Sequence, residues 1–109
     1  MKIKKFLLVL IFSFLINVQT SFADEAKMTK GLEIFNEVAG CAACHVLKAA
    51  GSEGNIGPNL DTVEGLNYES VMDIVTHGLG VMPAFGEDEI LTKEEIDIVS
   101  FYVSNSVSK

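Results

Sequence analysis

The sequence predicts an all-α domain. Apolar residues recur at three- and four-residue spacing in two separated stretches, capping residues stand where helical patterns begin, and no segment alternates apolar and polar over strand length. A chain of 109 residues has room for one small domain, which excludes most multi-part enzymes.

The first 23 residues differ in chemistry from the rest. They hold three of the eight lysines (Lys2, Lys4, Lys5) and no acid, and residues 6–16 are apolar except for Ser13. Ser21-Phe22-Ala23 then places small residues at the first and third positions before a cut. This is a secretory signal pattern, with cleavage expected after Ala23 and residues 24–109 as the mature domain. A membrane anchor is the alternative, but an apolar run of 11 residues falls short of the ~20 that a spanning helix needs. Asp24, not a cysteine, follows the cut, so a bacterial lipoprotein anchor is not expected.

Residues 24–109 keep five lysines against all fifteen acids, a formal charge of −10, and the chain has no arginine. Such a balance disfavours nucleic acid and anionic membrane surfaces and suits a partner with a basic patch. Export to an oxidising compartment would pair most cysteines. Cys41 and Cys44 would close so small a loop that a disulfide removes little chain entropy, so another use is expected for these thiols.

Met28, Leu32, Phe35 and Ala39 form one apolar stripe of about three helical turns, stopped by Gly40. Residues 46–66 show no period and contain Gly51, Gly54, Gly57, Pro58 and Gly65, a long loop of the kind that wraps something. Asn67 caps a short helix running to about His77, with Val71, Ile74 and Val75 inside and Gly78 and Gly80 ending it. Thr92 and Glu95 make a capping box, and Leu91 with Ile96 a hydrophobic staple. Ile96, Val99, Tyr102 and Val103 then face inward, and the helix ends near Asn105. Three short helices bury little apolar surface, so a non-protein group is expected in the middle.

Cys41-Ala42-Ala43-Cys44-His45 is the Cys-x-x-Cys-His pattern of haem c attachment. Each thiol adds to one vinyl group on the same porphyrin edge, and two intervening residues set that separation on a helical turn. His45 is then carried under the ring, where an imidazole nitrogen reaches iron. Three other uses are weaker. A thioredoxin-like pair lacks its βαβ context, and a disulfide has the loop-size problem above. A zinc site from Cys41, Cys44, His45 and His77 would strain tetrahedral coordination at the adjacent Cys44 and His45. For a sixth iron ligand the candidates are Met28, Met72, Met82 and His77. Met82 is preferred, because Gly78, Gly80 and Pro83 make an irregular stretch suited to presenting a thioether. His77, at a helix end, is the alternative.

These residues resemble class I cytochrome c, close to the small monohaem kind of bacteria and photosynthetic electron transport. The resemblance spans residues 28–105. Gly31 and Phe35 match the family's first-helix pair, and Val99 with Tyr102 match the residues that cross them on the last helix. Gly57-Pro58-Asn59-Leu60 matches the Gly-Pro-x-Leu turn and Met82-Pro83-Ala84-Phe85 the axial methionine segment. The resemblance implies a cytochrome c fold, three or more short helices wrapped around one haem c joined through Cys41 and Cys44. It implies iron held by His45 and Met82, with the Pro58 carbonyl orienting His45. His77 departs from the small polar residue common in relatives, and near the haem it could couple redox potential to pH.

Iron held by both His and Met keeps no vacant position for a substrate, which suits electron transfer rather than catalysis. The expected protein is therefore an exported monomeric carrier cycling between Fe(II) and Fe(III), periplasmic or, as an alternative, in the thylakoid lumen. It would not insert into a membrane after signal cleavage, and Ile56, Val81 and Phe85 would form a small apolar docking patch for redox partner proteins. Alternatives are a haem subunit of a larger oxidoreductase and, from another class, a haem enzyme or gas sensor with a labile sixth ligand.

Overall fold

The computed structural model describes the backbone of residues 2–107 and the side chains of residues 3–5 and 21–107. The whole apolar run of the expected signal, residues 6–16, and the terminal Ser108 and Lys109 lie outside the described side chains.

Three α-helices carry the fold: α1 (Lys2–Glu33), α2 (Tyr68–His77) and α3 (Lys93–Ser106). α1 is far longer than the stripe beginning at Met28 suggested. No glycine occurs before Gly31 and no proline before Pro58, so nothing in the backbone chemistry interrupts the helix upstream. Its end is also unexpected, because Ile34–Val38 is a π-helical turn closed by Ala39 N–H donating to the Ile34 carbonyl at 2.8 Å. The widened turn leaves both Ile34 and Phe35 buried, and left-handed Gly40 (φ 68°) then stops the helix.

α1 and α3 cross at Gly31. A Cβ built there would lie 2.2 Å from Tyr102 Cβ and 3.1 Å from the Ile98 carbonyl, so only a hydrogen lets the helices approach this closely. Phe35 and Tyr102 pack with ring centroids 6.1 Å apart. Nearby, Lys27 pairs with Asp97 at 2.8 Å and lies over the Phe101 ring, while Tyr68 donates to the same Asp97 carboxylate. One acidic side chain on α3 thus ties α1 and α2 to it, and Lys27 is the chief cause holding the Asp97 carboxyl below its ordinary range.

The expected loop 46–66 is not wholly irregular. Val46–Leu47 (β1) and Ser52–Glu53 (β2) form a two-residue antiparallel ladder, pairing Val46 with Glu53 and Leu47 with Ser52. Ser52 Oγ accepts from Leu47 N–H at 2.9 Å, which satisfies a backbone donor next to a fully buried side chain. The core combines Ile34, Phe35, Leu47, Val71, Val75, Phe85, Leu91, Ile96, Val99, Tyr102 and Val103.

Both capping boxes are formed. Asn67 accepts from Ser70 N–H while Ser70 accepts from Asn67 N–H, and Thr92 and Glu95 do the same at α3. Replacing Thr92 with alanine leaves the Glu95 amide without its side-chain acceptor. A loss of about 1 kcal/mol is expected in denaturant unfolding, and an unchanged midpoint would show that water replaces the cap at no cost.

Candidate haem site

Gly40 turns the chain out of the π-helical turn, and Cys41–Ala43 form a single 3₁₀ turn. Cys44 N–H and His45 N–H both donate to the Cys41 carbonyl, at 3.1 and 3.0 Å. That one acceptor holds the backbones of Cys41, Cys44 and His45 within a single turn. Both thiols are free and partly buried. Burial pushes the Cys41 thiol up to about 11; a backbone hydrogen bond at Cys41 opposes this and Cys44 adds to it. A thiol that stays neutral is poorly suited to disulfide exchange, which needs thiolate.

His45 Nδ1 lies 2.7 Å from the Pro58 carbonyl oxygen. A carbonyl only accepts, so Nδ1 carries the proton and donates, and Nε2 keeps a lone pair for a metal. The Gly-Pro-x-Leu turn is itself held against the attachment turn. Gly57 N–H donates to the Cys44 carbonyl at 2.7 Å, and Leu60 N–H to the Val46 carbonyl at 3.0 Å. Gly57 presses on the imidazole, since a Cβ there would sit 2.6 Å from His45 Cε1. Gly54 presses likewise on the backbone of the attachment turn, where a Cβ would lie 2.6 Å from the Ala43 carbonyl. These two contacts were not read from the sequence. The glycines are visible there, but which side chain each one touches depends on how the loop returns.

The structure therefore brings Cys41, Cys44, His45 and Pro58 into one cluster. The donor set fits haem c: two unpaired thiols at attachment spacing, one imidazole with its tautomer fixed, and a glycine surface beneath it. Met82 comes from a different part of the chain, the loop after α2, where it is half-buried against the core. Met72 and Met28 also pack partly buried against the core.

One sequence expectation needs correction. Phe85 is a core residue, 8% exposed, and contributes nothing to a docking surface; Ile56 and Val81 are 71% and 92% exposed, and Leu79, at 69%, takes the vacated place. Phe85 turns inward because its carbonyl collects the amides of Ile90 and Leu91, folding the chain around it. His77 ends α2 with Nδ1 2.6 Å from Glu87 Oε1 and Nε2 3.6 Å from Asp73 Oδ1. With carboxylates on both ring nitrogens it is placed for ion pairing. Among the described residues no group of three or more histidine, cysteine or acidic side chains is placed to hold a metal ion. Among the same residues no helix is long and apolar enough to cross a membrane.

Comparison with known proteins agrees with this chemistry. Residues 26–103 match the family model described as cytochrome c oxidase, cbb3-type, subunit III. The chain is 34% identical over 97 residues to cytochrome c6 of Gloeothece citriformis, covering 84% of this chain and 81% of that protein. It is 32% identical over 100 residues to chloroplastic cytochrome c6 of Chlamydomonas reinhardtii, where it spans 84% of this chain but 62% of the relative's length. The crystal structure of the c-type cytochrome SorU from Sinorhizobium meliloti superposes with a TM-score of 0.69 at 46% identity, covering 78% of this chain and 95% of that one. The chain therefore belongs to the class I c-type cytochromes, proteins that carry electrons on an iron-containing haem c joined covalently to the polypeptide.

Proposed function

We propose that the protein is an exported, monomeric electron carrier whose haem iron is held by His45 and Met82. The observation that carries this reading is the hydrogen bond from His45 Nδ1 to the Pro58 carbonyl at 2.7 Å, which leaves Nε2 as the ligating atom. When bound, the haem supplies a one-electron Fe(II)/Fe(III) couple, and a thioether ligand favours the ferrous state. The polypeptide holds the ring through Cys41 and Cys44, orients the imidazole through Gly57 and Pro58, and offers Met82 from the other loop.

Electrons would pass at the haem edge near the attachment turn and the Met82 loop. Ile56, Leu79 and Val81 are the exposed apolar side chains of those segments, enough for a weak, fast-exchanging encounter. Residues 49–92 carry eight acids and no lysine or arginine. A redox partner with a basic face would be steered toward this region, at rates that fall with salt. Residues 1–23 are read as a signal removed after Ala23, with the bacterial periplasm as destination; the Lys-led segment lacks the arginine- and serine-rich character of a transit peptide.

The test is the visible spectrum of protein matured with the haem-attachment machinery. Covalent haem is expected together with the weak long-wavelength ferric band that reports sulfur on iron, and Met82→Ala should abolish that band while keeping the haem. Haem without the band in the native protein, with rapid carbon monoxide binding, would favour an enzyme or sensor instead. A second reading, a haem subunit of a larger oxidoreductase, draws on the description of the matching family model. It requires co-purification with that enzyme, whereas a free carrier purifies alone.

A further inference from the structure

The loop that carries Met82 is closed at its neck. Thr76, in the last turn of α2, accepts at one carbonyl from both Gly86 N–H and Glu87 N–H, at 3.2 and 3.1 Å. Gly86 lies so close that a Cβ there would come within 2.9 Å of Thr76 Cγ2 and 3.1 Å of Ile96 Cδ1. Within the loop, Leu79 and Met82 exchange backbone hydrogen bonds, so Met82 sits in a tight turn on a nine-residue span, 78–86, whose ends meet.

One titratable side chain also bridges this neck. His77 reaches Glu87 Oε1 with Nδ1 at 2.6 Å and faces Asp73 Oδ1 with Nε2 at 3.6 Å. Glu87 comes from beyond the loop and Asp73 from α2, and these are the charged groups that act on the imidazole. Two carboxylates on the two nitrogens call for two N–H donors, which only the protonated ring has. The ring is 56% exposed, so protons reach it from solvent.

We propose that the His77 imidazolium, bridging Asp73 and Glu87, is a positioning group for Met82, so that the hold of Met82 on the iron weakens as His77 gives up its proton. The assignment rests on the His45/Met82 ligation proposed above. The hydrogen bond to Glu87, with the charges of Glu87 and Asp73, raises the His77 pKa above its ordinary value. The bridge is therefore fully made below about pH 6.5, the unfolded value, and is lost as pH rises through the higher folded one. His77 is exposed, so the expected change in neck opening is modest, about two- to fivefold.

The experiment compares haem-loaded full-length protein with its His77→Gln variant between about pH 5.5 and 9, spanning the histidine range. It follows His77 ring titration, exchange of the Gly86 and Glu87 amides corrected for intrinsic pH dependence, and the ferric sulfur band. In the native protein, amide protection should fall about two- to fivefold in the interval where His77 titrates, with the band declining in step. His77→Gln should show the reduced protection and band at every pH. Protection independent of pH in the native protein, or an identical profile in the variant, overturns the assignment. A native band absent at every pH overturns the Met82 ligation and this assignment with it, even where amide exchange still follows His77.

Discussion

Placing a single methyl group on Gly57 is expected to loosen the hold of the chain on His45. Gly57 has no unusual backbone angle to protect, so alanine is tolerated by the chain itself. What alanine lacks is space, because its Cβ would meet His45 Cε1 at 2.6 Å and Nδ1 at 2.9 Å. The ring must tilt, and tilting stretches the 2.7 Å bond to the Pro58 carbonyl that fixes its tautomer. Losing an outer hydrogen-bond partner of a metal-bound histidine costs about 10- to 100-fold in ligation. With His45 on the iron, the acid midpoint at which protons displace it should rise by about 1–2 pH units. The Soret absorption during acid titration reads this directly, and an unmoved midpoint would show that Gly57 merely fills space.

The second large effect is expected at Gly31. A side chain there collides with Tyr102 Cβ at 2.2 Å, an atom fixed to the α3 backbone that no rotamer moves away, and crowds the Ile98 carbonyl at 3.1 Å. Gly31→Val should therefore push α1 off α3 and cost about 3 kcal/mol or more. For a domain of this size that is about 12–24 °C in Tm, against about 1 kcal/mol for Thr92→Ala. Loss of the Phe35–Tyr102 ring contact should appear in near-ultraviolet circular dichroism before far-ultraviolet helicity falls. A melting temperature within a few degrees of the native one would mean that the crossing yields without loss.

How much of this was legible depended on how local the cause was. Asn67 as a cap and Thr92 with Glu95 as a capping box were readable because each answers the unpaired amides of its own first turn, while the return bond from Asn67 N–H to Ser70 was not read. The attachment turn was readable because Cys41 and His45 lie within one turn of each other. The π-helical turn at Ile34–Val38 was not, since one extra residue per turn leaves no mark on an apolar stripe of ordinary spacing. The upstream run of α1 was missed because the stripe was taken to mark where the helix begins, although nothing before Gly31 breaks it. Phe85 was misjudged because exposure in a loop follows from where the backbone hydrogen bonds of Ile90 and Leu91 go. The partners of His77 divide in the same way. Asp73 is four residues back on the same helix, and Glu87 is brought in only by the Thr76 carbonyl.

The contact of α1 with α3 has a bearing on the order of events during maturation. Cys41, Cys44 and His45 share one turn, whereas the helix that fills the Gly31 notch begins 48 residues after His45, at Lys93. Until that helix docks, the Gly31 notch has no Tyr102 to fill it, and the sulfurs of Cys41 and Cys44 are presented on an open chain. The architecture thus allows a bulky ring to be fastened first and enclosed afterwards by a segment from far along the sequence.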